Sequence, residues 1–216
     1  MDNAPCFWLP VDRMDKQYEV LNAQPLSDRF FKLHRYQLRH SSFNGGWCEP
    51  IVRERLENLA AVSVLLFDPV EDALVLVEQF RVGMMGIDDP PWSLETVSGF
   101  CDSEHEQAQE VARREVLEET GCEVQHLTPI GSFFVSPGMS VEQIHLFVGA
   151  IDSTEADGVH GLEHEGEEIR VVVIPREQAL EQLFGRLAST SILIALQWLE
   201  LNREALLDQW AELSIG

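Results

Sequence analysis

Residues 99–122, GFCDSEHEQAQEVARREVLEETGC, decide how this chain folds. The second half of the stretch consists mostly of strong helix formers, and Gly121 is a typical stop at a helix C-terminus, so the sequence predicts a helix that ends there. Glu115, Glu118 and Glu119 would share one face of this helix, because they are spaced i, i+3 and i+4. Like charges packed in this way repel one another, and a divalent cation would relieve the repulsion. The pattern therefore indicates a metal site, with a solvated acidic helix face as the plainer alternative.

The same stretch resembles the Nudix box of the Nudix hydrolases, G-x5-E-x7-R-E-U-x-E-E-x-G-U, in which U is aliphatic. The matching positions in the second half are Arg114, Glu115, Val116, Glu118, Glu119 and Gly121. Six residues instead of five separate Gly99 from Glu106, so the loop before the helix carries an insertion, and Cys122 stands where a bulky apolar residue is usual. The fixed positions of R-E-x-x-E-E-x-G would arise by chance in such a chain with a probability of about 10⁻⁴. The match therefore favours the metal site over the solvated face.

The resemblance implies an α/β fold, the Nudix α/β/α sandwich around a mixed β-sheet. It also implies hydrolysis of a diphosphate with Mg²⁺ as the cofactor, or Mn²⁺ in its place. The metal ligands expected from the family are the backbone carbonyl of Ser98 and the carboxylates of Glu115, Glu118, Glu119 and Glu167. Glu115 and Glu119 are expected to be catalytic as ligands of the metal, and Arg114 and Gly99 to be structural at the site.

Composition and charge limit the partners of the chain. It has 216 residues, of which 45% are hydrophobic, and a formal net charge of −22. The acidic excess lies after residue 58, and such a surface repels a nucleic-acid backbone. No uninterrupted apolar run approaches about 18 residues, so no membrane span is expected. The four cysteines show no C-x-x-C spacing and the first residues do not resemble a signal peptide, so we expect a cytoplasmic protein.

We expect two domains, an N-terminal β domain over 1–58 and a Nudix domain over 59–216. In the first, 30–39 is strand-like, Asn44-Gly45 is typical of a hairpin turn, and a return strand begins near Trp47. In the ADP-ribose pyrophosphatases of the Nudix family, a similar domain mediates dimerisation and reaches the partner's active site. The resemblance thus implies a homodimer and four substrate contacts from this domain: Phe30, Phe31, Arg53 and Glu54. The alternative for the two phenylalanines is a pair of ordinary strand aromatics, one on each face.

Dense apolar runs over 60–67 and 73–80 predict strands that are covered on both faces of a sheet. Further strands are expected over 92–99, 127–135, 144–150 and 169–175, and helices over 176–187 and from Ser189 towards Trp210. Residues 152–168 are expected to form a long polar loop.

Three more residues are expected at the substrate because of the resemblance. Arg81 ends an E-Q-x-R run, with a structural ion pair as the alternative, and Phe100 follows the glycine of the box. Glu142 ends the run S-P-G-x-x-x-E, which resembles a mark of the ADP-ribose pyrophosphatase subgroup. Glu95 is expected on the substrate side of the sheet or bound to the box arginine.

The loop that ends at Glu168 is densely acidic, and composition alone favours a merely solvated loop. In the family, a glutamate of this loop activates the attacking water, and we expect Glu165 to be this base. Glu163, His164 and Glu168 are the other candidates nearby.

The function expected from these resemblances is metal-dependent hydrolysis of ADP-ribose to AMP and ribose 5-phosphate. One alternative is a pyrophosphatase for another nucleoside diphosphate sugar, such as GDP-mannose. The other is a Nudix domain that binds ADP-ribose without turnover.

Overall fold

A computed structural model describes residues 16–57, 60–87, 90–101, 106–185 and 189–213, with the backbone alone for Glu165. The chain divides into two compact units. One unit comprises Met1–Asn58 and Ser136–Val141, and the other comprises Leu59–Val135 and Glu142–Gly216. The segment Ser136–Val141 lies within the range expected for the second domain but groups with the first. Among the described residues, no helix combines the length and the apolar character that are needed to cross a bilayer.

The first unit is a three-stranded antiparallel sheet in the order β1-β2-β3. Its strands are β1 (Tyr18–Asp28), β2 (Lys32–His40) and β3 (Ile51–Leu56). Beyond β2, Ser41 and Trp47 pair across a turn in which Gly45 and Gly46 have φ values of 89° and 68°, as the Asn-Gly signal predicts.

The structure of this unit differs from the sequence prediction in two places. The strand predicted from Phe30 begins at Lys32, because Phe30 and Phe31 form the bend between β1 and β2. They are therefore not strand aromatics on opposite faces. β1 itself was not predicted, since it contains Pro25, a residue that strands tolerate at a sheet edge such as this one.

The Ser-Pro-Gly segment belongs to the first unit through backbone hydrogen bonds. The Leu56 amide donates to the Met139 carbonyl at 2.8 Å, and the Val141 amide donates to the Leu56 carbonyl at 3.1 Å. Leu56 and Ser140 form a parallel bridge at the same place. This segment therefore extends the edge of the small sheet at β3.

In its described residues, the second unit contains a mixed sheet and three α-helices. Its strands are β4 (Ala61–Asp68), β5 (Ala73–Phe80), β6 (Trp92–Glu95), β7 (Val97–Phe100), β8 (His126–Phe134), β9 (Gln143–Ala150), β10 (Val159–His160) and β11 (Ile169–Pro175). The helices are α1 (Ala108–Thr120), α2 (Arg176–Glu181) and α3 (Thr190–Leu213). The sheet order is β10-β11-β5-β4-β9-β8, with β6 paired to β5 and β7 to β4. The β4–β9 pair is parallel and the others are antiparallel.

The strands β4 and β5 separate after their turn, and this separation positions the box. β4 pairs with β5 over Leu66–Asp68 but with β7 over Ala61–Val64. β5 in turn pairs with β6 from Val77 onward. The β6–β7 segment therefore fills the opening in the sheet and brings Ser98 and Gly99 beneath α1.

Two apolar cores cover the two faces of this sheet. Along β4, Val62, Val64 and Leu66 pack in a core with α1, whereas Leu65 and Phe67 pack in a core with α3. The alternation follows from the two-residue period of a strand. These layers confirm the predicted α/β/α sandwich around a mixed sheet.

Two boundaries differ from the sequence prediction. The helix expected over 176–187 ends at Glu181 and continues as turns to Gly185, a residue with low helix propensity. The expected polar loop over 152–168 contains the short strand β10, which pairs with β11. The predicted helix from Ser189 is α3, and the Ser189 hydroxyl accepts a hydrogen bond from the Ile192 amide at 3.4 Å.

Replacing Gly121 by alanine should destabilise the second unit by about 1–3 kcal/mol. Gly121 ends α1 with φ 70°, and a Cβ there would lie 2.8 Å from Cε1 of His160. Gly166 has a similar φ of 73° but a Cβ would meet no described atom within 4 Å, so Gly166→Ala is the matched control. Urea unfolding of wild type and of both variants measures how much each substitution lowers the free energy of unfolding. Equal losses in the two variants would show that the His160 contact contributes nothing.

Candidate active site

The acidic face of α1 meets the backbone of β7. Glu119 is 3% exposed, whereas Glu115 and Glu118 are half-buried. The amide of Ser98 in β7 donates a hydrogen bond to Oε2 of Glu119 at 3.3 Å. The predicted helix thus delivers one of its three glutamates into the interior, where β7 holds it.

Gly99 leaves the space that the Glu115 carboxylate occupies. A Cβ at Gly99 would lie 2.0 Å from Cδ of Glu115 and 2.2 Å from its Oε1. Such distances are far inside van der Waals contact, so any side chain at residue 99 would displace this carboxylate. A glycine at this position is therefore a steric requirement of the acidic site.

Burial raises the pKa of Glu119 to about 9. The charges of Glu115 and Glu167 contribute to this rise, and the Ser98 hydrogen bond and the charge of Arg81 oppose it. A carboxyl group with this pKa is protonated at neutral pH unless a cation stabilises its ionised form. Protonation and binding of a cation are thus two alternative ways to offset the negative charge of Glu119.

The donor chemistry of the cluster fits a hard divalent cation. Glu115, Glu119 and Glu167 offer carboxylate oxygens, which Mg²⁺ prefers over nitrogen or sulfur. Within the part of the chain that the structure describes, no three His, Cys, Asp or Glu side chains form a ready-made metal site.

Arg81 forms an ion pair with Glu95 at the end of β5. Its Nε and Nη2 donate to Oε2 of Glu95 at 3.0 and 2.7 Å. Burial alone would lower the pKa of Arg81, but the bonds to Glu95 and the charges of Glu119 and Glu167 raise it. Arg81 therefore lies close enough to Glu119 and Glu167 for their negative charges to stabilise its guanidinium group. The residue that binds Arg81 directly is Glu95.

Arg114 contacts the cluster from the helix side. Its Nη2 lies 3.2 Å from Oε1 of Glu115 and 3.8 Å from Oε1 of Glu106. Arg114 thus contacts Glu115, and its structural role at the site stays a prediction.

The acidic loop after β10 is attached to α1. The Gly161 amide donates to the Glu118 carbonyl at 3.4 Å, and Oε2 of Glu167 accepts from the Leu162 amide at 3.4 Å. Glu163–Glu165 form a single 3₁₀ turn. The expected base, Glu165, thus lies in this turn, with its side chain outside the described residues, while Glu167 is half-buried near Glu119.

The chain matches a family model described as the NUDIX domain over residues 57–193. It belongs to the NUDIX family. This assignment confirms the resemblance that the box predicted. The "ADP-ribose pyrophosphatase" of Escherichia coli (strain K12) is 41% identical over 204 residues, which cover 94% of this chain and 97% of the relative.

Two further comparisons are more distant. The "GDP-mannose pyrophosphatase" of Enterobacter sp. (strain 638) is 31% identical over 196 residues, which cover 88% of this chain and 98% of the relative. A solved structure described as "Crystal structure of ADP compounds hydrolase" aligns with a TM-score of 0.63 and 21% identity, covering 85% of this chain and 95% of the other. This structural match supports the NUDIX fold.

The remaining expected substrate contacts are not all in one unit. Phe100 lies at the end of β7 with 42% exposure, and Glu142 is half-buried just before β9. The other four lie in the first unit: Phe30, Phe31, Arg53 and Glu54. Phe30 and Phe31 stack edge to face at 4.9 Å, Nη1 of Arg53 donates to the Val52 carbonyl, and Glu54 pairs with Arg35 at 2.6 Å. Their contacts with substrate stay predictions.

Sequence reasoning did not single out two features of the NUDIX domain. Gln79 is a buried polar residue on β5, and it is the glutamine of the E-Q-x-R run, to which sequence reasoning gave no role. A groove of about 440 Å³ lies at the other end of α1 from Glu119, between Gln107, Gln109 and the strands β8 and β9. Within it, the Ser132 hydroxyl and Nδ1 of His145 are hydrogen-bonded at 2.7 Å.

Proposed function

We propose that this NUDIX-family chain hydrolyses the diphosphate of ADP-ribose to AMP and ribose 5-phosphate with the help of a divalent cation. The observation that carries the proposal is the buried carboxyl of Glu119, held by β7 beside Glu115 with Arg81 nearby. A site that combines anionic ligands with one arginine suits a cation bound together with a diphosphate. The name of the E. coli relative supports ADP-ribose as the substrate.

The residues that would hold the cation are Glu115, Glu119 and Glu167, with Glu118 and the carbonyl of Ser98 as further ligands. Mg²⁺ is the proposed cation, since all of these donors are oxygens, and Mn²⁺ is the alternative. When bound, the cation supplies charge neutralisation of the diphosphate and makes water more acidic.

The other side chains have separate roles in this proposal. Glu165 accepts the proton of the attacking water, a contribution that is typically about 10²- to 10⁴-fold. Arg81 binds a phosphate oxygen with its fork of N–H donors. Arg114 orients Glu115, and Gly99 leaves room for that carboxylate.

We further propose that the protein is a cytoplasmic homodimer that associates through its first unit. Large apolar side chains on this unit are exposed, including Tyr18 at 76%, Phe43 at 92% and Val52 at 54%. Exposed apolar surface of this kind favours burial against a second copy. The free thiols of Cys48, Cys101 and Cys122 are consistent with a reducing compartment. Phe30, Phe31, Arg53 and Glu54 would contribute substrate contacts, together with Phe100 and Glu142.

The experiment that tests the proposed function is a product analysis with ADP-ribose, GDP-mannose and diadenosine diphosphate, each with and without Mg²⁺. We expect AMP and ribose 5-phosphate from ADP-ribose, and little product without the cation. Turnover of GDP-mannose that is faster than that of ADP-ribose would favour the second candidate function, a GDP-mannose pyrophosphatase. The name of the Enterobacter relative supports this candidate. Binding of ADP-ribose without any product would contradict the enzymatic function.

A further inference from the structure

Gln79 has a buried hydrogen-bond donor to which no described residue offers an acceptor. It is 7% exposed, and among the described residues its Nε2 has no hydrogen-bond partner. Buried amide groups are nearly always paired, because leaving one unpaired disfavours the folded state. The unused donor therefore suggests that its acceptor becomes available in another state of the protein.

The position of Gln79 on β5 places it on the same face of the sheet as a candidate acceptor. Val75 and Val77 pack in the core beneath α1, so the two-residue period of the strand places Gln79 on the same face of the sheet. In the register of β5 with β6, Glu95 lies opposite Val77 and Ser93 opposite Gln79. Arg81 follows two residues after Gln79, with an extended backbone.

The side chains of Arg81 and Glu95 therefore meet from opposite sides of Gln79 along the strand direction. On this face, Glu95 lies opposite Val77, which is two residues before Gln79 on β5. Arg81 lies two residues after Gln79. Both hydrogen bonds from Arg81 end on Oε2 of Glu95, so Oε1 takes no part in the pair. The side chain of Glu95 is 13% exposed, against 40% for Arg81. Arg81 is thus the more accessible partner.

A diphosphate would compete with Glu95 for this arginine. Guanidinium groups bind phosphate oxygens with two parallel hydrogen bonds, as they bind carboxylates. If Arg81 turned to the substrate, the Glu95 carboxylate would remain poorly exposed and without its cation. A buried charge in that condition is strongly unfavourable unless another donor replaces the first.

We propose that Gln79 is a positioning residue. It replaces Arg81 as the hydrogen-bond partner of Glu95 when Arg81 binds the diphosphate of the substrate. Nε2 of Gln79 then donates to the Glu95 carboxylate and holds it in place. This hydrogen bond exists in the loaded state and not in the free state, so it favours binding of the substrate. The inference rests on the proposed function, since it requires that the substrate carry a diphosphate.

Gln79→Met tests the exchange, because methionine has a similar length and no amide. We expect the KM for ADP-ribose to rise about tenfold with kcat within about twofold, the effect of one hydrogen bond to a charged group. The free variant should be at least as stable as wild type, since an unpaired buried donor has been removed. A loss of stability together with unchanged KM would overturn the proposal. Gln79→Leu serves the same test if the methionine variant does not fold.

A double-mutant cycle with Glu95→Gln separates this role from a merely structural one. If Gln79 acts through Glu95, Gln79→Met should change KM less than about twofold in the Glu95→Gln background. An equal tenfold effect in both backgrounds would contradict the exchange. Leu76→Met is the matched control, because Leu76 lies on the same strand but packs in the core with α3.

Failure of the proposed function would be distinguishable from failure of this inference. Normal turnover of ADP-ribose by Gln79→Met with unchanged KM leaves the function intact and removes the role of Gln79. If wild type does not hydrolyse ADP-ribose, the proposed function fails, and the variants are compared by the rise in melting temperature that ADP-ribose produces. A rise that is equal in wild type and Gln79→Met, or absent in both, overturns the inference.

Discussion

Glu119→Gln should lower kcat for ADP-ribose by at least about 10³-fold and at the same time make the metal-free protein more stable at pH 8. The loss of activity follows because a neutral amide cannot supply the charge that a cation ligand needs, and the cation contributes several kcal/mol to such reactions. The gain in stability follows from the burial of Glu119, which raises its pKa to about 9.

The sign of the stability change depends on pH. A carboxyl group whose pKa rises on folding favours the folded state at low pH, and this contribution is lost as the pH rises from 4.5 towards about 9. Across that interval the loss is about 1.4 kcal/mol per pH unit. The stability advantage of Glu119→Gln should therefore be near zero at pH 4.5 and grow towards pH 9.

Urea unfolding in the presence of EDTA at pH 5, 6.5 and 8 measures this advantage, and steady-state kinetics with Mg²⁺ measures the loss of activity. Glu110→Gln is the matched control, since Glu110 is exposed in the first turn of the same helix. Near-wild-type activity in Glu119→Gln would refute the assignment of this residue to the metal site. A variant that is less stable than wild type at pH 8 would show that a positive charge already stabilises ionised Glu119 in the metal-free protein.

Gly99→Ala should lower activity at least about 100-fold. The added Cβ would lie 2.0 Å from Cδ of Glu115, so this carboxylate must move by about 1 Å. A misplacement of that size in a catalytic group typically reduces the rate about 10²-fold. Backbone strain does not contribute, since Gly99 is not among the glycines with positive φ. The effect therefore isolates the position of Glu115.

The matched control is Gly131→Ala, at a strand position where a Cβ would meet no described atom within 4 Å. Adding Glu115→Ala to Gly99→Ala should restore stability, because the clash is removed, without restoring activity. The measurements are ADP-ribose turnover and the melting temperature of each variant. Wild-type turnover in Gly99→Ala would mean that the placement of Glu115 over β7 is not needed for the reaction.

The box helix could be predicted because its information is local. Helix propensity and a C-terminal glycine determine α1, and the i, i+3, i+4 spacing determines that its glutamates share a face. The observed helix ends at Thr120, directly before the predicted stop at Gly121. The apolar runs of β4 and β5 were predictable for the same reason, since strands covered on both faces are apolar throughout.

The differences among the three glutamates could not be predicted from the helix alone. Glu119 is buried and Glu115 half-buried because β7 enters the sheet between β4 and β5, and that pairing depends on residues far apart in sequence. The Arg81–Glu95 pair depends in the same way on the register of β5 with β6. Sequence reasoning expected Glu95 on the substrate side of the sheet or bound to the box arginine Arg114, and the structure pairs it with Arg81 instead.

The errors in the first unit also have a non-local origin. The run from Phe30 is strand-like in composition, but the hairpin between β1 and β2 uses Phe30 and Phe31 as its bend. The segment Ser136–Val141 is far from β3 in sequence, and its grouping with the first unit comes from backbone hydrogen bonds to Leu56. Neither the bend at Phe30 and Phe31 nor the hydrogen bonds to Leu56 can be predicted from composition.

The most direct test of the account is the number of protons released when Mg²⁺ binds at pH 7.5, measured by calorimetry in two buffers of different ionisation enthalpy. A Glu119 carboxyl that is protonated in the metal-free protein must lose its proton to become a ligand. We therefore predict release of nearly one proton from wild type and nearly none from Glu119→Gln, together with weaker binding in the variant. Equal affinity and equal proton release in both proteins would contradict a metal site at Glu119.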